Sequence, residues 1–178
     1  RFKDPRAGKL SGGMKQKLAL CCALIHKPVV LFLDEPTTGV HPVSRKEFWE
    51  MLKRLKQEGI TIVVSTPYMD EATLCDRIAL IQTGTILSTD SPVQIVNSYQ
   101  ETLYAVKANN MFSLLKNLRA YENTIDSYAF GEYAHVSFRG VSELSDVKMY
   151  LRNAGLEEID INAVPPTIED CFIKLLKN

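Results

Sequence analysis

One stretch constrains this chain more than any other: Val29-Val30-Leu31-Phe32-Leu33-Asp34-Glu35-Pro36-Thr37-Thr38-Gly39. A continuous apolar run that ends in turn residues predicts a strand of a parallel sheet, buried on both faces. Asp34 and Glu35 then stand at its C-terminal end, where open α/β sheets bind ligands. Two adjacent carboxylates there are costly unless they meet a metal, a proton or a phosphate-bearing partner. The plainer alternative is a buried strand with acidic punctuation before a turn.

The rest of the chain bounds what this strand can serve. With 178 residues, 46% apolar and 24% charged, the chain has the length and composition of one or two soluble globular domains. Its net charge of zero argues against broad capture of nucleic acid. The longest apolar run, Leu18 to Ile25, is too short to span a bilayer. Cys21, Cys22, Cys75 and Cys171 lack C-x-x-C spacing and are expected to be reduced, mostly buried thiols. The basic start Arg1–Lys9 carries no methionine and no strand, so a preceding segment is expected.

Ahead of the strand, Leu10-Ser11-Gly12-Gly13-Met14-Lys15-Gln16 leads into an apolar helix that runs to Ile25. Ser11 is a good helix N-cap. Gly12 and Gly13 in the first turn let a phosphate or another backbone come close, and the helix N-terminus favours an anion. The alternative is that these glycines serve packing alone. Gly8-x-x-x-x-Gly13 imitates the start of a phosphate-cradling P-loop, but Met14 stands where lysine must follow and no strand precedes it.

Taken together, Leu10-Ser11-Gly12-Gly13-x-x-Gln16, the apolar helix and Leu31–Gly39 resemble the signature motif, Walker B strand and D-loop of ABC-transporter ATPase subunits. The resemblance covers roughly residues 9–90, and the chain's end, Pro166-Thr167-Ile168-Glu169-Asp170-Cys171-Phe172, is similar to the tail of drug-export members. It implies ATP and Mg²⁺ as cofactors. Asp34 would hold Mg²⁺ through water, and Glu35 would orient or deprotonate the attacking water. Ser11, Gly12 and Gly13 would cap the γ-phosphate of an ATP held by a second ABC ATPase domain, homologous or in tandem, with Gln16 reaching its ribose. A transmembrane permease subunit would be the other partner, and the site of action the inner face of the cell membrane. Without a P-loop, the 178-residue chain is not expected to hydrolyse ATP efficiently.

Two positions depart from the family. Pro67, in Ser65-Thr66-Pro67-Tyr68, stands where the family's switch histidine touches the γ-phosphate. Proline has no side-chain donor or acceptor, although it suits the first turn of a helix. His41, in Val40-His41-Pro42, replaces the usual acidic D-loop residue and removes or inverts a negative charge. A slow or inactive site of its own, beside an intact signature serving a partner, is the expectation. The alternatives are a regulatory ATP-binding module without hydrolysis, and a soluble ABC ATPase acting on nucleic acid or ribosomes.

The expected fold is α/β. Residues 1–100 form the later part of an ATPase domain, a partial P-loop-NTPase-like parallel sheet with its signature helix. Residues 101–178 form a small α+β, ferredoxin-like accessory domain with a C-terminal helix. In the first, a helix over Arg45–Gln57 buries Phe48, Trp49, Leu52 and Leu55, and Thr61–Val64 is the next parallel strand. A hairpin turns at Gly84, with a helix over Val93–Tyr99. In the second, strands at Leu103–Lys107, Ile125–Phe130, His135–Phe138 and Glu158–Ile161 alternate with helices at Met111–Arg119 and Ser142–Asn153 in β-α-β-β-α-β order. Thr167 opens the last helix, through Leu176, and His135 is expected to be a packing or surface residue.

Overall fold

The structure, a computed structural model, describes residues 8, 10–140 and 144–177. It divides into two compact units, Arg1–Ile78 and Ala79–Asn178.

The first unit follows the mixed α/β expectation. Helix α1 (Gly12–Leu24) leads to strand β1 (Val30–Asp34), helix α2 (Pro42–Gln57), strand β2 (Thr61–Ser65) and the short helix α3 (Met69–Ala72). The two strands pair in parallel, with Leu31 opposite Ile62 and Asp34 opposite Ser65. Leu20 of α1, Leu31 of β1, and Phe48 and Leu52 of α2 form the core, joined by Leu33, Trp49, Leu55, Ile62 and Val64.

One expectation fails here. β1 is buried on one face, not both: Phe32 is 74% exposed, and Val30 and Val63 are exposed on the same side. The reason is the two-residue period of a strand. Leu31, Leu33, Ile62 and Val64 join α1 and α2 in the core, and no described element of the unit covers the residues between them. The thiols also differ from expectation. All four are free, but Cys21 and Cys22 are exposed on α1, Cys75 is half-buried, and only Cys171 is buried.

In the second unit, β3 (Ile78–Gln82) pairs with β4 (Thr85–Asp90), and α4 (Pro92–Asn97) follows, capped by Ser91. Then come β5 (Leu103–Lys107), α5 (Met111–Ala120), β6 (Thr124–Phe130), β7 (Tyr133–Phe138), α6 (Leu144–Asn153), β8 (Asp160–Val164) and α7 (Ile168–Leu175). The β-α-β-β-α-β order forms one antiparallel sheet, ordered β6-β7-β5-β8. Val106, Val136, Leu114, Leu118, Val147 and Leu151 build its core between sheet and helices.

Strand β8 lies later than expected, because Glu158 takes a left-handed φ of +53° and still belongs to the turn. Its pairing with β5 continues to Val164 opposite Leu103. The expected start of α6 at Ser142 lies outside the described residues. Helix α7 opens with a capping box between Thr167 and Asp170.

Candidate functional site

The site is built at the C-terminal ends of β1 and β2. Because the two strands are parallel and Asp34 lies opposite Ser65, the chain leaves both at the same edge of the sheet. Asp34, Glu35, Ser65 and Pro67 are all exposed there. Ser65 joins the two strand ends: its Oγ donates to Asp34 Oδ1 at 2.5 Å and accepts the Glu35 N–H at 2.9 Å. The Glu35 N–H also reaches the Ser65 carbonyl at 3.1 Å.

Glu35 adopts φ +43°, a left-handed backbone uncommon for a residue with a side chain. Such conformations cost on the order of 1–3 kcal/mol and persist where surrounding bonds fix them. Here the Ser65 bonds hold the backbone, and Thr38 Oγ1 donates to Glu35 Oε2 at 3.0 Å. Among the described residues, neither Asp34 nor Glu35 forms an ion pair.

These donors suit Mg²⁺ delivered with a nucleotide. Asp34 offers a hard, exposed oxygen with no cation already on it, and Mg²⁺ keeps much of its water shell. Among the described residues no cluster of three or more His, Cys, Asp or Glu is placed to hold a metal. A metal caged wholly by these side chains is therefore not built, and phosphate or water oxygens would complete the shell.

The start of α1 lies against the turn that follows the acidic pair. Ser11 caps the helix, its Oγ accepting the Met14 N–H at 3.3 Å. The two glycines differ. A Cβ on Gly13 would meet Ser44 Cβ at 2.7 Å, so this glycine lets α1 approach α2. A Cβ on Gly12 would find only the Gly39 carbonyl oxygen, at 3.7 Å, and the backbone there is open to an incoming group. Gln16, two residues nearer the helix N-terminus than Leu18, is half-buried.

His41 is the N-cap of α2. Its Nδ1 accepts the Val43 N–H at 3.4 Å, with Pro42 in the first turn. Pro67 does not occupy the first turn of a helix. It precedes Tyr68, the N-cap of α3, in a loop closed by the Tyr68 N–H donating to Thr66 Oγ1 at 3.1 Å.

Sequence reasoning missed Glu71. It is 2% exposed. Its carboxylate accepts from Thr37 Oγ1 at 2.9 Å, Thr66 Oγ1 at 2.7 Å and Arg45 Nε at 2.9 Å. Burial opposes its charge, yet the hydrogen bonds from Thr66 and Thr37, helped by Trp49 and Arg45, hold its pKa below the ordinary glutamate value. The Trp49 indole N–H is buried and, among the described residues, finds no hydrogen-bond partner within normal geometry. Arg45 also reaches Asp70 and lies 3.9 Å above the Tyr68 ring. The acid at 71 and the base at 45 are visible in the sequence, but no periodicity links positions 37, 45, 66 and 71.

Comparison with known proteins places this geometry in context. A family model described as "AAA domain, putative AbiEii toxin, Type IV TA system" matches residues 6–67. The chain is 36% identical over 177 residues to "Probable multidrug ABC transporter ATP-binding protein YbhF" of Escherichia coli (strain K12), spanning 98% of this chain and 30% of that protein. It is 35% identical over 175 residues to "Nod factor export ATP-binding protein I" of Rhizobium sp. (strain N33), spanning 97% of this chain and 55% of that protein. Among solved structures, cbiO1 from Clostridium perfringens, described as part of the ABC transporter complex cbiONQ, is similar. It superposes with a TM-score of 0.50 at 31% identity, over 55% of this chain and 39% of that one. The chain thus spans between 30% and 55% of the length of these curated relatives.

Proposed function

The chain is a homologue of ABC-transporter ATP-binding proteins, and from that premise we propose that it acts in the ATP-binding subunit of an ABC-type exporter. In this reading it couples ATP binding and hydrolysis to transport through a separate permease subunit, working from the inner face of the membrane. Its partner is a second ABC ATPase domain, homologous or in tandem.

The observation that carries the reading is the pair Asp34 and Glu35, exposed at parallel strand ends, unpaired with any described base and held by Ser65 and Thr38. Mg²⁺, when bound with ATP, would neutralise phosphate charge there. Asp34 would hold its water shell, and Glu35 would orient or deprotonate a water. A positioned base of this kind contributes typically about 10²–10⁴-fold. Ser11, Gly12 and Gly13 would close on the γ-phosphate carried by the partner domain, with Gln16 toward its ribose. The open backbone at Gly12 supports that role.

Pro67, with no group to touch a phosphate, and His41, a helix cap in place of an acid, argue that this chain's own ATP site turns over slowly. The intact signature would still complete the partner's site.

Gly12→Glu tests the reading. A glutamate in the first turn is compatible with the helix dipole and finds open space, so the fold should hold. Its charge would face the partner's phosphate. We expect the subunit, assembled with its partner domain, to lose at least about tenfold in ATP turnover, the scale of a 1.4 kcal/mol loss in transition-state binding. Unchanged turnover with the fold intact would remove the signature from the account.

A further inference from the structure

We propose that Glu71 is a positioning residue that ties the turn after the acidic pair to the loop after β2, so that the two segments shift as one body. Both segments end on a single carboxylate. Thr37, 1% exposed, donates to Glu71 Oε2 from the turn, and Thr66 donates to the same oxygen from the loop. The other oxygen, Oε1, takes Arg45 Nε from α2.

Each arm leads directly to a residue of the candidate site. Thr37 is followed by Thr38, whose hydroxyl holds Glu35. Thr66 is preceded by Ser65, which holds Asp34 and the Glu35 backbone, and followed by Pro67. The acidic pair is therefore gripped from both sides by segments that converge on one buried acid. Arg45 fixes that acid in turn, being bound to Asp70 and stacked on Tyr68 beside the same loop.

A buried carboxylate with three donors has little freedom to follow one partner and abandon another. Pulling either hydroxyl off the buried carboxylate costs free energy, so the cheaper response to a push on one segment is movement of both. The role assigned to the coupled segments rests on the nucleotide-site reading above; the coupling itself does not.

Amide hydrogen exchange on the full chain, without nucleotide, tests it. The reporters are the amides of Thr38 and Val40 in the turn, bonded to the Glu35 and Thr37 carbonyls, and of Tyr68 in the loop. Thr66→Val removes the loop's arm and frees the Tyr68 amide beside it, both within the loop, yet exchange at Thr38 and Val40 in the turn should quicken about threefold or more. Thr37→Val should do the same at Tyr68. Glu71→Gln should quicken both segments about tenfold, and adding Thr66→Val to it should change the turn by less than about twofold. Effects confined to the substituted segment would overturn the coupling. Should Glu71→Gln not fold, the two threonine variants decide alone. ATP turnover is not read, so a failure here leaves the nucleotide-site reading standing, and a failed turnover experiment leaves the coupling standing.

Discussion

The acids at the end of β1 and the acid at the start of α7 live in opposite surroundings. Asp34 and Glu35 are exposed, adjacent to one another and without a basic partner among the described residues. Asp170 is 0% exposed and saturated. Its Oδ1 accepts from Tyr128 at 2.8 Å and sits 2.7 Å from His135 Nδ1, and its Oδ2 takes both the Thr167 N–H and hydroxyl at 2.7 Å. Phe130 stacks on the His135 ring at 4.1 Å. A carboxylate whose lone pairs are all taken holds a fold together, whereas one left open is available to a ligand. Glu71 shows that the first unit also uses the closed kind, directly behind its open pair.

The strongest way to break this contrast is Asp170→Ala. It strands Tyr128 and His135 in the interior and removes the capping box that Asp170 shares with Thr167, and a loss of about 3–5 kcal/mol is expected in urea unfolding. A loss below about 1 kcal/mol would end Asp170's claim to be structural. Acid sharpens the same point. Burial resists the Asp170 charge, but hydrogen bonds from Thr167, His135 and Tyr128 outweigh it and hold the pKa below the ordinary aspartate value. The folded pKa is thus lower than the unfolded one. The stabilisation is full above about pH 4, the unfolded aspartate range, and is lost as pH falls through the folded value. Unfolding followed from pH 7 downward should steepen below about pH 4 in the parent and flatten in Asp170→Asn.

A smaller effect separates the two glycines of α1. Gly13→Ala drives a methyl into Ser44 and should cost roughly 1–3 kcal/mol. Gly12→Ala meets no such obstacle and should stabilise the helix by up to about 1 kcal/mol. Equal effects on the melting temperature would mean that α1 does not pack on α2 as described. Smallest of all are Asp34→Asn and Glu35→Gln. With no ion pair to lose, each should shift unfolding by no more than about 0.5 kcal/mol. A loss of several kcal/mol would place these acids with Asp170.

Much of the scaffold was legible because its signals are local. The run Val29–Leu33 marks β1, Ser11 and Thr167 mark helix starts, and alternation marks the β-α-β-β-α-β order of the second unit. Local signals also misled. A continuous apolar run does not say how many faces are covered, and Phe32 stands open. An apolar helix does not say which side is outward, and Cys21 and Cys22 are exposed. Proline after β2 suggested a first helical turn, but Thr66 closes its own turn with Tyr68 and delays the helix.

What could not be read was the long-range polar wiring. Thr37 and Glu71 lie 34 positions apart, and Tyr128 and Asp170 lie 42 apart. Hydroxyl-to-carboxylate bonds over such distances leave no spacing rule behind. His135, expected to be a packing or surface residue, does pack, buried against Phe130, but its contact with Asp170, 35 positions away, left no sign in the sequence.

Asp34 and Glu35 are proposed above as a site kept open for chemistry and slowed by Pro67. The most direct measurement is single-site ATP hydrolysis by the subunit assembled with its partner domain, with Pro67→His made alone and together with Glu35→Gln. Pro67→His should raise turnover at this site, and Glu35→Gln should abolish the gain. No change with Pro67→His, or a gain that survives the loss of Glu35, would contradict that proposal.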